Sequence, residues 1–187
     1  MRIDKLIAAT HGKSAARAHR HYILDRSGIE QAADVGRGVL GEFDQIAGAC
    51  TGLSAVYARD LNQVAGFTAY VVAGTLAADG RRVFGDGGPF DGKAVFSASN
   101  MSWDGHVWVM IGPYIADISI GWTARFGGPA PLASLVSREM GPNAGLMIVK
   151  WQDAPLSGLI YSPQYVLTDD QVAVLDHSTR TVFPKPA

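Results

Sequence analysis

The segment 106–120 places the strongest constraint on what this chain can fold into. It is apolar along nearly its whole length, and Gly112-Pro113 divides it into two runs, 106–111 and 114–120. Two short apolar runs around such a pair predict a hairpin of buried antiparallel strands. Because a strand with two apolar faces needs partners on both, the rest of the chain must supply a substantial core.

Composition is consistent with such a core. Hydrophobic residues make up 48% of the 187 residues and charged residues 18%. No run is long and apolar enough for a membrane span, and the first residues lack the apolar core of a signal peptide, so a cytoplasmic location is expected. The net charge of -1 gives no support for a sequence-blind nucleic-acid binder.

The remaining elements predict an α+β class, because helices come first and strands later. Ser27 and Glu30 have the spacing of a capping box. A second helix is expected to begin near Cys50 and to end at Gly66, before a strand over 67–76. Beyond it we expect a loop over 77–92, strands over 94–99, 146–151, 159–161 and 179–183, a helix over 132–140, and a helix opened by Thr168 with Gln171.

The length is that of one domain, so residues 1–187 are taken as a single unit. Its core is expected over about 27–121, with 122–187 adding strands and helices. No internal repeat or linker interrupts the chain.

Asp117 is the one charged residue in the second run of the hairpin. A carboxylate among apolar strand residues needs a partner. If an even number of residues joins the strands, Trp108 faces Asp117, and His106 becomes its diagonal neighbour on the same face. An odd number would put the two on opposite faces.

Cys50 is the only cysteine, which excludes an intrachain disulfide and a multi-cysteine zinc site. Its predicted place at a helix N-terminus lowers a thiol pKa. A nearby imidazole lowers it further, and a carboxylate can hold that imidazole in one orientation. Cys50, His106 and Asp117 are therefore candidates for a catalytic triad. The alternative is a cysteine that only packs in the core.

Two segments resemble transglutaminase-like domains of the papain-like superfamily. Residues 48–76, GACTGLSAVYARDLNQVAGFTAYVVAGTL, resemble the nucleophile segment, in which a cysteine opens a helix that precedes a glycine-bearing strand. Residues 106–119, HVWVMIGPYIADIS, resemble the segment that carries the histidine and the aspartate. The gap between Cys50 and His106 is longer than is common in the family.

The resemblance implies a nucleophile helix packed on an antiparallel sheet, with Cys50 as nucleophile, His106 as general base and acid, and Asp117 as orienting carboxylate. The implied activity is amide-bond hydrolysis, as in a cysteine peptidase, or acyl transfer through an acyl-Cys50 intermediate. The implied partner is a peptide or protein substrate. Neither a metal nor a cofactor is expected.

Other residues are weaker candidates. Gln45, five residues before the cysteine, is a candidate oxyanion donor together with the backbone N–H of Cys50. Trp103 and Trp108 flank His106 and are candidate walls of a substrate groove. The cluster from His19 to His21 is expected on an exposed helix face.

Two other functions stay open. Cys50-Thr51-Gly52-Leu53 and His106-Val107 loosely resemble cell-wall peptidases of the NlpC type, although that family usually has histidine as its third residue. The chain is also open to interpretation as a non-catalytic protein- or ligand-binding module, with Cys50 buried and the glycine-rich stretch 85–92 as a recognition loop.

Overall fold

A computed structural model describes residues 3–44, 48–97 and 103–183. Within them the strands are β1 Ala69–Ala78, β2 Arg81–Phe84, β3 His106–Ile111, β4 Tyr114–Asp117, β5 Met147–Lys150 and β6 Leu159–Val166. The helices are α1 Ile3–His21, α2 Arg26–Glu42, α3 Cys50–Gln63, α4 Gly92–Val95, α5 Ile120–Arg125, α6 Ala130–Met140 and α7 Asp169–Val182. A 3-10 turn, Ala154–Ser157, precedes β6.

The six strands form one antiparallel sheet organised around β1. β6 pairs with β1 over Val72–Ala78, so β3 and β2 share the opposite edge: β3 lies along the first half of β1 and β2 along its end. β4 and then β5 continue the sheet beyond β3. The predicted α+β class is confirmed, and β5 and β6 show that the C-terminal third completes the same sheet as the predicted core.

Both faces of the sheet are covered, which explains why its strands are apolar on both faces. Val107, Val109 and Ile111 of β3 pack in a cluster that includes the buried face of α3. The alternate residues Trp108 and Met110 pack in a second cluster, with residues from α1 and α6. Period-two alternation along β3 thus joins two cores.

Helix α3 is fixed to both sheet and helices. Ser54 is fully buried, and its hydroxyl donates to the carbonyl oxygen of Val107 on β3 at 3.1 Å. The buried Tyr57 hydroxyl donates to the carbonyl oxygen of Ala32 on α2 at 2.8 Å. These two bonds hold α3 between the sheet and α2, and they set where its first residue, Cys50, lies.

Local capping explains two differences from the sequence-based expectations. Asp25, and not Ser27, caps α2, because its carboxylate accepts from the backbone N–H of Gly28 at 2.8 Å. Asp91 similarly caps the short helix α4 by accepting from Ala94 N–H. The expected strand 94–99 is therefore wrong at its start, and residues 98 and 99 lie outside the described part of the chain.

The expected loop 77–92 is also wrong in part. β1 runs to Ala78 and turns through Asp79 and Gly80 into β2. Both turn residues have positive φ, 48° and 74°, as a tight hairpin of twisted strands requires. This hairpin brings Phe84 back alongside β1.

One expected strand is shorter than predicted, and another lies largely in a helix. The strand 114–120 ends at Asp117, and α5 begins at Ile120. Residues 179–183 do not close the sheet, since α7 continues to Val182. The capping box of Thr168 and Gln171 at the start of α7 is confirmed.

His19 is buried, with 4% of its surface exposed, and its ring lies edge-on to Tyr70. The expected exposed face is thus wrong for His19, although Arg20 and His21 are exposed. Among the described helices, none combines the length and the apolar character needed to cross a membrane.

Gly74 faces His106 across β1 and β3, and a Cβ there would lie 2.1 Å from the carbonyl oxygen of Ser162. We expect Gly74→Ala to lower the free energy of unfolding by about 1–3 kcal/mol, because backbone cannot move aside cheaply. Urea unfolding at pH 7 measures this.

Gly38→Ala is the matched control. Gly38 lies on α2, and a Cβ there would meet no atom within 4 Å. The same substitution should raise the free energy of unfolding by up to about 1 kcal/mol, since alanine is the better helix former. Equal effects at both positions would contradict the close approach of β6 to Gly74.

Candidate active site

The register of the β3–β4 hairpin brings His106 to Asp117. Met110 pairs with Ile115 and Ile111 with Tyr114, so an even number of residues joins the strands. Both side chains are fully buried, and His106 Nε2 lies 2.6 Å from Asp117 Oδ2. The predicted contact between His106 and Asp117 is therefore confirmed.

Asp117 accepts three further hydrogen bonds. The hydroxyl of Tyr161 on β6 donates to Oδ2 at 2.8 Å. The backbone N–H and the hydroxyl of Ser119 both donate to Oδ1 at 3.1 Å. Burial by itself would raise the pKa of Asp117, but the charge of His106 and these hydrogen bonds lower it below its usual value. The carboxyl group is thus held as an oriented anion.

The pKa of His106 moves in the opposite direction. Burial disfavours the charged ring, but the charge and the hydrogen bond of Asp117 outweigh burial, with a contribution from Cys50, and raise the pKa to about 10. The ring stacks on Phe84, with centroids 5.4 Å apart. Nδ1 is buried without a conventional hydrogen-bond partner among the described residues. Since Nε2 is taken by Asp117, Nδ1 is the nitrogen left for the thiol.

Cys50 is the first residue of α3 and is half-buried. Burial of the sulfur would by itself raise the pKa of the thiol. Interactions with His106, with the backbone of Val107 and with the Thr51 hydroxyl outweigh burial, so the pKa is lowered. One turn further along α3, the hydroxyl of Ser54 donates a hydrogen bond to the carbonyl oxygen of Val107, the residue after His106. The structure therefore brings Cys50, His106 and Asp117 together.

A cleft of about 340 Å³ opens at Cys50. Its aromatic walls are Phe84, Trp103 and Phe126. Its other lining residues are small or polar, namely Gly48, Thr51, Asp104, Gly105, Thr123, Gly127 and Gly128. The nucleophile candidate is therefore accessible from a concave surface, as an active site requires.

The two candidate tryptophans have different places. Trp103 lines the cleft and stacks on Phe90, with centroids 4.8 Å apart. Trp108 does not line it: the side chain is fully buried and packs against Tyr161. Trp108 as a groove wall is thus wrong. Gln45 lies outside the described residues.

Sequence reasoning missed Tyr161, Ser119 and Phe84. Ser119 had a local signal, because an aspartate side chain commonly accepts from the backbone N–H two residues further on. Tyr161 and Phe84 lie on β6 and β2, and their contacts depend on how both strands pair with β1. No spacing in the sequence indicates that pairing.

The chain matches no protein-family model, no curated protein and no solved structure. Among the described residues, no three His, Cys, Asp or Glu side chains cluster as a metal site would require. The chemistry of the cleft therefore has to be argued from the geometry of its own side chains.

Tyr161→Phe removes one donor to the buried Asp117 carboxylate and raises its pKa. We expect the free energy of unfolding at pH 7 to fall by about 1.5–3 kcal/mol, as for a hydrogen bond to a charged group. The folded-state pKa of Asp117 lies below its ordinary 3.8. This stabilisation is therefore present above pH 3.8 and is lost as pH falls through the folded-state pKa. Urea unfolding at pH 7 and near pH 3 measures both.

Tyr165→Phe, on the same strand, is the control. The Tyr165 hydroxyl donates to the neutral side chain of Gln171 at 3.1 Å. Its loss should cost about 1 kcal/mol, equally at both pH values. If the two variants showed the same pH dependence, the hydrogen bond from Tyr161 would not be supporting an anionic Asp117.

Proposed function

We propose that this protein is a thiol-dependent amide-bond hydrolase, most directly a cysteine peptidase, or an acyltransferase working through the same intermediate. One observation carries the proposal. A buried His106–Asp117 pair, 2.6 Å between Nε2 and Oδ2, lies beside a thiol of lowered pKa at an open cleft. Groups with pKa values moved apart at a cleft are typical of active sites.

The resting state of this site is a thiolate on Cys50 and an imidazolium on His106. The lowered pKa of the thiol and the raised pKa of the imidazole both favour that ion pair. Asp117 stays ionised and holds the ring by Nε2, so that Nδ1 is directed to the sulfur.

In the first step Cys50 Sγ attacks the carbonyl carbon of the substrate amide. The C–N bond breaks, His106 gives its proton to the leaving amine nitrogen, and an acyl-Cys50 thioester remains. In the second step the neutral imidazole takes a proton from water or from an amine. The oxygen or nitrogen attacks the thioester, and Cys50 leaves as thiolate. Water gives hydrolysis and an amine gives acyl transfer.

The negative oxygen of the tetrahedral intermediate needs donors. The first N–H groups of α3 have no partner within the helix, and that of Cys50 lies beside the reacting sulfur. No side chain in the described part of the chain caps this end of α3. We propose the Cys50 N–H as one oxyanion donor, with Gln45 as the candidate second.

We also propose that the fold is of the papain-like, transglutaminase-like kind. The support is a helix that begins at the candidate nucleophile and packs on an antiparallel sheet carrying the histidine and the aspartate. The functional thiol has to stay reduced, which suits the reducing cytoplasm.

The rate of Cys50 alkylation by iodoacetamide tests the ion pair. An ordinary thiol has a pKa near 8.5 and reacts slowly at pH 6. We expect fast alkylation at pH 6, slowed at least about tenfold in His106→Ala, because only the thiolate reacts. The loss of unalkylated protein mass against time gives the rate, and no other thiol competes.

His177→Ala is the control for this measurement, since His177 is exposed on α7 and does not line the cleft. Its alkylation rate should equal that of the protein without substitutions. If the native protein resisted the reagent but reacted once unfolded in urea, the result would contradict the proposed enzymatic function. It would favour the alternative of a non-catalytic binding module.

Asp117→Asn tests the chemistry itself. The amide nearly preserves the shape of the carboxylate but lacks the charge that orients and stabilises the imidazolium, so cleavage should slow by about 10²–10⁴-fold. The assay is cleavage of a pool of synthetic peptides, with the mass of the intact protein reporting the acyl adduct. Cys50→Ala should form no adduct. Equal cleavage by Asp117→Asn would refute the triad.

A further inference from the structure

The charges at the cleft are predominantly negative. Asp104 is the only charged residue among its described lining residues, and it is exposed. Beneath it, the proposed thiolate, imidazolium and carboxylate together carry one further net negative charge. A concave, partly apolar surface concentrates the field of such charges and attracts ligands of the opposite sign.

The walls of the cleft are also suited to a cation. Phe84, Trp103 and Phe126 all line it, and aromatic faces attract cations. The ring of Phe126 already contacts one cation, since the Arg125 guanidinium lies 5.6 Å from its centroid. That guanidinium is held by the carbonyl oxygens of Gly121 and Pro142, and Arg125 does not line the cleft.

Asp104 is placed by the same segment that builds the site. The backbone N–H of Gly85, directly after Phe84, donates to the carbonyl oxygen of Asp104 at 3.2 Å. Two residues further, His106 begins β3. The carboxylate is therefore carried on backbone tied to both an aromatic wall and the candidate general base.

We propose that the cleft selects substrates that carry a positive charge beside the scissile amide, as a lysine or arginine side chain does, and that Asp104 is the specificity-determining residue. This inference rests on the proposed function. It assigns Asp104 a role in selecting the substrate and none in the bond-breaking steps.

Charged thiol reagents test the inference without a known substrate. The Cys50 thiolate attacks the alkylthio sulfur of a methanethiosulfonate. A disulfide bond forms, the bond from that sulfur to the sulfonyl group breaks, and methanesulfinate leaves. The probes are the cationic trimethylammonium-ethyl reagent, the anionic sulfonato-ethyl reagent and the neutral methyl reagent. The measured quantity is the ratio of the cationic to the anionic rate, divided by the same ratio for N-acetylcysteine methylamide.

We expect this normalised ratio to exceed one in the protein without substitutions. In Asp104→Asn it should fall by about three- to tenfold, because one unit charge near the thiolate is removed. Asp170→Asn, which removes an exposed carboxylate from the first turn of α7, should leave the ratio unchanged. The neutral reagent should modify all three proteins at the same rate.

The outcomes separate the two proposals. Fast reaction with the neutral reagent at pH 6, with a ratio that Asp104→Asn does not alter, would overturn the role of Asp104 while leaving the ion pair intact. A normalised ratio below one in the protein without substitutions would overturn the proposed preference for a positively charged substrate. Slow reaction with all three reagents would overturn the proposed function, and this inference with it.

Discussion

An ionised carboxylate in a protein interior must be surrounded by donors, and the organisation of this site depends on meeting that requirement at Asp117. An unpaired buried charge would cost several kcal/mol. His106, Ser119 and Tyr161 supply four hydrogen bonds from three parts of the chain. β3, the residues after β4, and β6 must all be in place for the carboxylate to have its four donors, so the site is complete only when the sheet is.

The same anion determines the electrostatics of the cleft. Asp117 favours a charged His106, and a charged His106 lowers the pKa of Cys50. The effect passes through a ring that Asp117 holds on one side and Phe84 covers on one face. Chemistry proposed at the surface of the cleft therefore depends on a hydrogen-bond network lying beneath it, in which Tyr161 and Ser119 position Asp117 without facing a substrate.

The thiol reaches this network through the packing of α3. Ser54 ties the helix to the carbonyl of Val107, one residue after His106, and Tyr57 ties it to α2. A helix attached at these two points has little freedom to slide along the sheet. Cys50, four residues before Ser54, is thereby held at the end of β3. The buried hydroxyls of α3 thus have a positioning role that their residue types alone do not indicate.

The sequence by itself determined the α+β class and a hairpin around Gly112-Pro113, because alternation and turn signals are local properties. It predicted the His106–Asp117 contact only on the condition of an even-numbered loop, and the structure supplied that condition. The capping box of α7 was readable for the same reason. The short segments 94–99 and 179–183 misled, since a few apolar residues in a short segment fit a helix as well as a strand. Only the tertiary structure placed Tyr161, Phe84 and Asp104 around the site and buried Trp108. Those positions depend on β2 and β6 pairing with β1, and for β6 this joins residues more than 80 positions apart.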